Sequence, residues 1–158
     1  TPLDKAQGGI SWMLGQKLGL NNITYLQADA VASYGAIGEF QQSLSEEEFI
    51  DLLKNTFGLP YVRCSEPLNK PIKKVAFCGG SGAFLIDDAI KADADAFVCG
   101  DIKHHEFYKA EQKILLADIG HFESEIGTKE IFFSILSKKI PTFAIHLSEN
   151  DKSPIHCL

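Results

Sequence analysis

The run KKVAFCGGSGAFLIDDAIKADADAFVCGDIKHHEFYKAEQKILLADIGHFESE, residues 73–125, decides the fold. Three short apolar stretches recur in it, at 73–78, 95–99 and 114–118. Each is too short for a helix, rich in Val, Ile, Phe or Leu, and closed by small or polar residues, which is the pattern of a buried strand. Between them, AFLIDDAIK and KHHEFYKAEQK read as helices, and residues 122–138 read as one long helix. Strands alternating with helices of this length imply βαβ units and a largely parallel sheet. Right-handed crossovers then cover both of its faces. GGSG, residues 79–82, reads as a turn.

Outward from this run the signals are weaker. PTFAIHL, residues 141–147, reads as a final strand. On the other side, GGISWMLGQKLG at 8–19 spaces Ile10, Met13, Leu14 and Leu18 as on a helix, and ITYLQA at 23–28 reads as a strand. ASYGAIGEF follows, a glycine-punctuated strand or turn region. Ser45 and Glu48 form a capping box ahead of FIDLLKNTFG, whose helix stops near Gly58, and YVRC at 61–64 reads as a short strand. SEPLNKP, 65–71, is the natural joint between a front portion, 1–70, and a back portion, 71–158. The fold expected is one layered α/β/α unit with a largely parallel or mixed sheet.

At 158 residues, with 45% hydrophobic and 23% charged, the chain fits one soluble domain with a real core. The formal net charge of −6 disfavours nucleic acid and anionic membranes as partners. No apolar stretch approaches the ~20 residues of a spanning helix, and no leader pattern opens the chain. Cys64, Cys78, Cys99 and Cys157 form no CxxC pair, which suits reduced thiols and a cytoplasmic setting. The first residue is Thr1 and the only methionine is Met13, a start that fits a fragment or a shortened chain.

Ligands of open α/β sheets bind beyond the carboxyl ends of the strands. Here those ends run into Gly79–Gly80–Ser81–Gly82, into Asp101 with His104 and His105, and into His121 with Glu125. His121 and Glu125 are four apart and share a helix face, so together they can grip one metal ion; an acidic first helical turn is the plainer alternative. Imidazole with carboxylate suits Zn, Mn or Fe better than Ca. Glu123 points elsewhere on such a helix. His104 and His105 cannot both face one site, and Asp101 suits a helix cap. GGSG can cradle an anion such as phosphate, or be only a tight turn, since it lacks P-loop spacing.

Taken together, AFCGGSGAFLIDDAIKADADAFVCGDIKHHEFYKAEQKILLADIGHFESE resembles the C-terminal half of the YbgI-type, Nif-three-like dinuclear-metal family, also called GTP cyclohydrolase I type 2. The opening TPLDKAQGGISWMLGQKLGL resembles that family's TNLD-type motif and following helix. The resemblance covers most of 1–28 and 71–158. It implies a centre of two divalent ions, with Asp4, His121 and Glu125 as metal ligands. His105 matches the histidine of a KYH-type motif near the metals, where it could shuttle protons as a catalytic residue. The family's paired-histidine HHP motif has no counterpart here, so the resemblance implies that the N-terminal half lies outside this chain and that the site is incomplete within it. It also implies a ring-like homo-oligomer.

Three functions follow. One is a metal-dependent hydrolase of a nucleotide or related heterocycle, with GGSG facing phosphate. Another is a non-catalytic metal-binding interaction protein, and the third a phosphate-binding module without metal.

Overall fold

The computed structural model describes residues 9–28 and 33–155. The elements run α1 (Ile10–Lys17), β1 (Asn21–Ala28), β2 (Ser33–Leu44), α2 (Glu46–Phe57), β3 (Arg63–Cys64), β4 (Ile72–Ser81), α3 (Ile86–Lys91), β5 (Ala96–Gly100), a 3-10 helix (His104–Ala110), β6 (Leu115–Asp118), α4 (His121–Glu125) and α5 (Thr128–Lys139). Six strands form one mixed sheet in the order β1-β2-β4-β5-β6-β3. The three strands expected at 73–78, 95–99 and 114–118 are its parallel core, β4-β5-β6. β1, β2 and β3 are added antiparallel at the two sides.

The core strands are buried on both faces because their alternating side chains feed two separate clusters. Val75, Phe77, Ala96, Val98, Leu115 and Ala117 pack with Ile10 and Leu14 of α1 and Phe49 and Leu53 of α2. Ala76, Cys78, Phe97, Cys99 and Leu116 pack with Leu85 and with Ile86 and Ala89 of α3. Phe49, Phe77 and Phe97 are fully buried. Each such side chain stabilises the fold by roughly 1.5–3 kcal/mol. The layered α/β/α expectation holds.

α2 begins as its sequence requires. Ser45 Oγ accepts from the Glu48 amide, and the Glu48 carboxylate accepts from the Ser45 amide at 2.7 Å. Gly58, left-handed at φ 66°, ends the helix.

Three local expectations are corrected. GGSG is no free turn, since β4 runs through Ser81 and Ser81 is in register with Gly100 of β5. Of the strand and turn readings of the glycine-punctuated region, the strand holds, as part of the twelve-residue β2. The long helix over 122–138 is broken between α4 and α5 at Gly127, where a side chain would overlap Met13. PTFAIHL is irregular, and the free edge beyond β6 is taken by β3. Among the described residues no helix is long and apolar enough to cross a membrane.

Candidate metal centre

The carboxyl ends of β4, β5 and β6 meet at one place because glycine lets their backbones touch. A Cβ on Gly100 would lie 2.8 Å from the backbone carbon and oxygen of Gly120. A Cβ on Gly80 would lie 2.5 Å from Glu125 Oε1 and 3.4 Å from His121 Cε1. Gly80 and Gly120 also take φ values of 67° and 85°, open to glycine without steric cost. Asp101 stands at φ 56°, a left-handed conformation uncommon outside glycine, asparagine and aspartate. The sharp turn after Gly100 thus puts Asp101 beside α4.

His121 opens α4. Its Nδ1 lies 2.6 Å from Asp101 Oδ2, and its Nε2 lies 3.4 Å from Glu125 Oε2. An ionised carboxylate only accepts, so Nδ1–H donates to Asp101 and the neutral ring keeps its lone pair on Nε2. That lone pair faces a second acceptor, Glu125. Two facing acceptors need a cation or a shared proton between them. The imidazole pKa is raised, most by the hydrogen bond to Asp101, with help from the charge of Glu125 and against partial burial. The metal solution fits as well. Donors about 2.1 Å from one tetrahedral ion lie about 3.4 Å apart. An Asp–His contact behind the metal-facing nitrogen is the usual device for fixing a ligand's tautomer. Among the described residues no third His, Cys, Asp or Glu completes a metal-holding group, so the pair fits as part of a site.

A second layer holds these loops. Asp118, the last residue of β6, is buried. Its Oδ2 accepts from Arg63 Nη1 at 2.9 Å and from the Ile102 amide at 3.1 Å, and its Oδ1 accepts from the Gly120 amide at 2.9 Å. On the other side, Ser124 Oγ accepts from the Gly80 amide and donates to the His121 carbonyl, both at 2.8 Å.

The pair opens on a cleft of about 900 Å³, within the size range of small-molecule sites. Tyr61, Phe122, Ile126, Phe132 and Ile155 supply apolar lining, and Arg63, Asp101, Glu123 and Lys129 supply charge.

A family model described as Duf34/NIF3 (NGG1p interacting factor 3) matches residues 1–154. The chain belongs to the DUF34/NIF3 family. A Staphylococcus epidermidis protein described as a GTP cyclohydrolase 1 type 2 homolog is 38% identical over 124 residues, covering 76% of this chain and 34% of its own length. A Clostridium perfringens protein of the same description is 35% identical over 130 residues, covering 79% of this chain and 49% of its own. The NIF3-family chain therefore spans about a third to a half of these relatives. Its fold matches a Staphylococcus aureus hypothetical protein with a TM-score of 0.85 at 24% identity, over 99% of this chain and 66% of that one. A Bacillus cereus protein related to NIF3 matches at 0.84 and 17% identity, over 99% and 71%.

Within this NIF3-family chain the expected residues fare differently. His121 and Glu125 converge, and Gly80 lies against both. Asp4 lies outside the described residues. The amide of Gly80 is committed to Ser124, Gly79 packs on Ile10, and Gly82 packs between Cys78 and Cys99, so GGSG makes room for Glu125 rather than presenting a ring of open amides. His105 is exposed on the 3-10 helix and does not line the cleft, so the structure does not bring it to the pair. Glu123 is half-buried and folds back over Gly120, lining the same cleft instead of facing away. Two residues were missed. Asp101 looked like a helix cap, yet Lys103 holds that position. Arg63 sits in a stretch with no motif, and only its contact with Asp118 reveals it.

Proposed function

We propose that this NIF3-family chain contributes His121 and Glu125 to a divalent-metal centre, with Asp4 as a further ligand, in a metal-dependent hydrolase of a nucleotide or related heterocycle. The observation that carries the reading is the pair of acceptors, Nε2 and Oε2, held 3.4 Å apart by Asp101 behind and Gly80 beside. Zn, Fe or Mn suits this donor set. Such an ion supplies Lewis acidity at the mouth of the cleft. The chain's own residues hold the imidazole in one tautomer, orient the carboxylate and offer an apolar wall to a planar ring. The description of the relatives as GTP cyclohydrolase homologues directs the substrate search to nucleotides.

The test is metal content and calorimetric Zn²⁺ binding of the purified chain. The unmodified protein should bind, His121→Ala should lose binding, and a nucleotide panel should show metal-dependent turnover. Equal binding by His121→Ala and the unmodified chain sinks the metal assignment.

A second reading, a non-catalytic metal-binding protein acting through association, draws on α5. It buries no residue, while Phe132, Phe133, Ile135 and Leu136 stand exposed. Such a face suits packing against another copy in a homo-oligomer. Metal binding without turnover, together with a mass above one chain in light scattering, favours this reading.

A further inference from the structure

We infer that Asp118, held by Arg63, is the positioning residue that sets the Asp101–His121 hydrogen bond and thereby the metal-facing nitrogen. The consequence for metal rests on the metal-centre reading; the consequence for the imidazole does not.

Asp101 and His121 come from different loops, one after β5 and one after β6. Their 2.6 Å contact survives only if the two loops keep their spacing. Asp118 is the atom-level link between them. One carboxylate oxygen takes the amide of Ile102, the residue after Asp101, and the other takes the amide of Gly120, the residue before His121. Both loops are therefore pinned to a single rigid group, each one residue from the pair. The side chain is only 4% exposed, so water cannot replace a lost contact cheaply.

A buried carboxylate needs a cation partner. Arg63 is that partner, and its route to the site explains β3. This strand has two residues, yet it is in register with β6, Arg63 opposite Asp118 and Cys64 opposite Ala117. The next residue locks it, since Ser65 Oγ accepts from the Leu116 amide and the Ser65 amide donates to the Leu116 carbonyl. Arg63 spends its fork on both partners at once: Nη1 donates to Asp118 and Nη2 donates to the Ile102 carbonyl at 3.3 Å. The Phe107 ring lies 5.3 Å from the guanidinium carbon and holds it from the side. The linking stretch between α2 and β4 thus acquires a task, delivering one arginine to the foot of the site.

If Asp118 loses its charge or Arg63 its fork, the Asp101 and His121 loops separate and Nδ1–H loses its acceptor. The imidazole proton is then free to move to Nε2, the atom that would face the ion.

The experiment uses ¹⁵N-histidine-labelled, metal-free protein at a pH where the imidazole is neutral. The His121 tautomer is read from ring nitrogen shifts in the unmodified chain, Asp118→Asn, Arg63→Ala and Arg63→Lys. Zn²⁺ affinity and the Co²⁺ absorption spectrum are recorded on the same samples. The unmodified chain should hold the proton on Nδ1. Asp118→Asn and Arg63→Ala should show mixed tautomers, a shifted Co²⁺ spectrum and Zn²⁺ binding weakened about 10–100-fold. Arg63→Lys, which keeps charge but not the fork, should fall between. Arg63→Lys keeps a cation beside the buried Asp118, so it supplies the reading if Asp118→Asn or Arg63→Ala fails to fold. Unmodified tautomer and Zn²⁺ affinity in both Asp118→Asn and Arg63→Ala overturn the inference and leave the metal reading intact. A tautomer change in a chain that never binds Zn²⁺ upholds the positioning role and overturns the metal reading.

Discussion

Replacing Gly80 by alanine separates the cost of a backbone conformation from the cost of crowding a ligand, because Gly58 serves as its control. The two glycines have nearly equal φ values, 67° and 66°. A Cβ in that region costs roughly 1–2 kcal/mol wherever it occurs. At Gly58 the new methyl meets nothing within 4 Å, so Gly58→Ala pays this cost alone. At Gly80 the methyl lands 2.5 Å from Glu125 Oε1 and 3.3 Å from its Cδ. The obstructing atoms end a flexible side chain, which yields by rotating. Stability should therefore fall by about the same 1–2 kcal/mol in both variants, or roughly 2–8 °C in Tm for a chain of this size. Rotation, however, takes Oε2 out of its 3.4 Å relation to His121 Nε2. Zn²⁺ affinity should drop at least about tenfold, equivalent to 1.4 kcal/mol, in Gly80→Ala only. Thermal melting and titration calorimetry on both variants decide the matter. Unchanged affinity in Gly80→Ala, or an equal loss in Gly58→Ala, refutes the reasoning that Gly80 exists to seat Glu125.

Three other outcomes are expected. Ser124→Ala leaves the Gly80 amide buried without its acceptor and should cost about 1–3 kcal/mol in urea unfolding. Ser45→Ala removes the cap of α2 and should cost about 1 kcal/mol, with faster amide exchange confined to the first turn of that helix. The His121 pKa is raised, first by the hydrogen bond to Asp101, so its protonated form stabilises the metal-free fold fully below the unfolded value of about 6.5, and this contribution is lost as pH rises through the folded value. Zn²⁺ must displace that proton, so binding should weaken as pH falls through the raised value, and the onset should move to lower pH in Asp101→Asn; an unmoved onset in calorimetric titrations counts against the pair.

The parallel core was legible because its strands are buried on both faces. Runs such as VAFC and AFVC have no amphipathic reading that competes with a central strand. The carboxyl-end rule brings GGSG and HFESE together from sequence alone, and Gly80 does touch Glu125. What escaped was conformation that depends on one contact. Gly127 separates α4 from α5 and packs against Met13, a neighbour more than a hundred residues away. Asp101 has the residue type of a helix cap, but a left-handed φ turns it to His121 instead. Arg63 has no local signal, since its meaning lies in a buried partner on another strand. Glu123 shows the limit of helical-wheel reasoning at a first turn, where a side chain can fold back over the preceding glycine.

The charges around the cleft decide between ligands of opposite sign. Asp101, Asp118, Glu123, Glu125 and Asp151 line it, against Arg63 and Lys129. Arg63 is consumed by Asp118, and Lys129 is 3.2 Å from Asp151. Among the described residues three carboxylates then remain around one imidazole, Asp101 and Glu125 in contact with it and Glu123 turned over the adjacent glycine. A bare phosphate brought to this end meets uncompensated negative charge and a glycine loop whose central amide is already bonded to Ser124. A divalent ion, on the proposed metal-centre reading, would meet the Nε2 lone pair of a neutral imidazole and a carboxylate that no other cation among the described residues engages. Like charges gathered at this density persist only with a proton or a cation among them, and the hydrogen bond to Asp101 accordingly raises the His121 pKa. The charge of this cleft thus favours a cation over a bare anion beside His121, while Tyr61 and Phe122 line it with apolar surface.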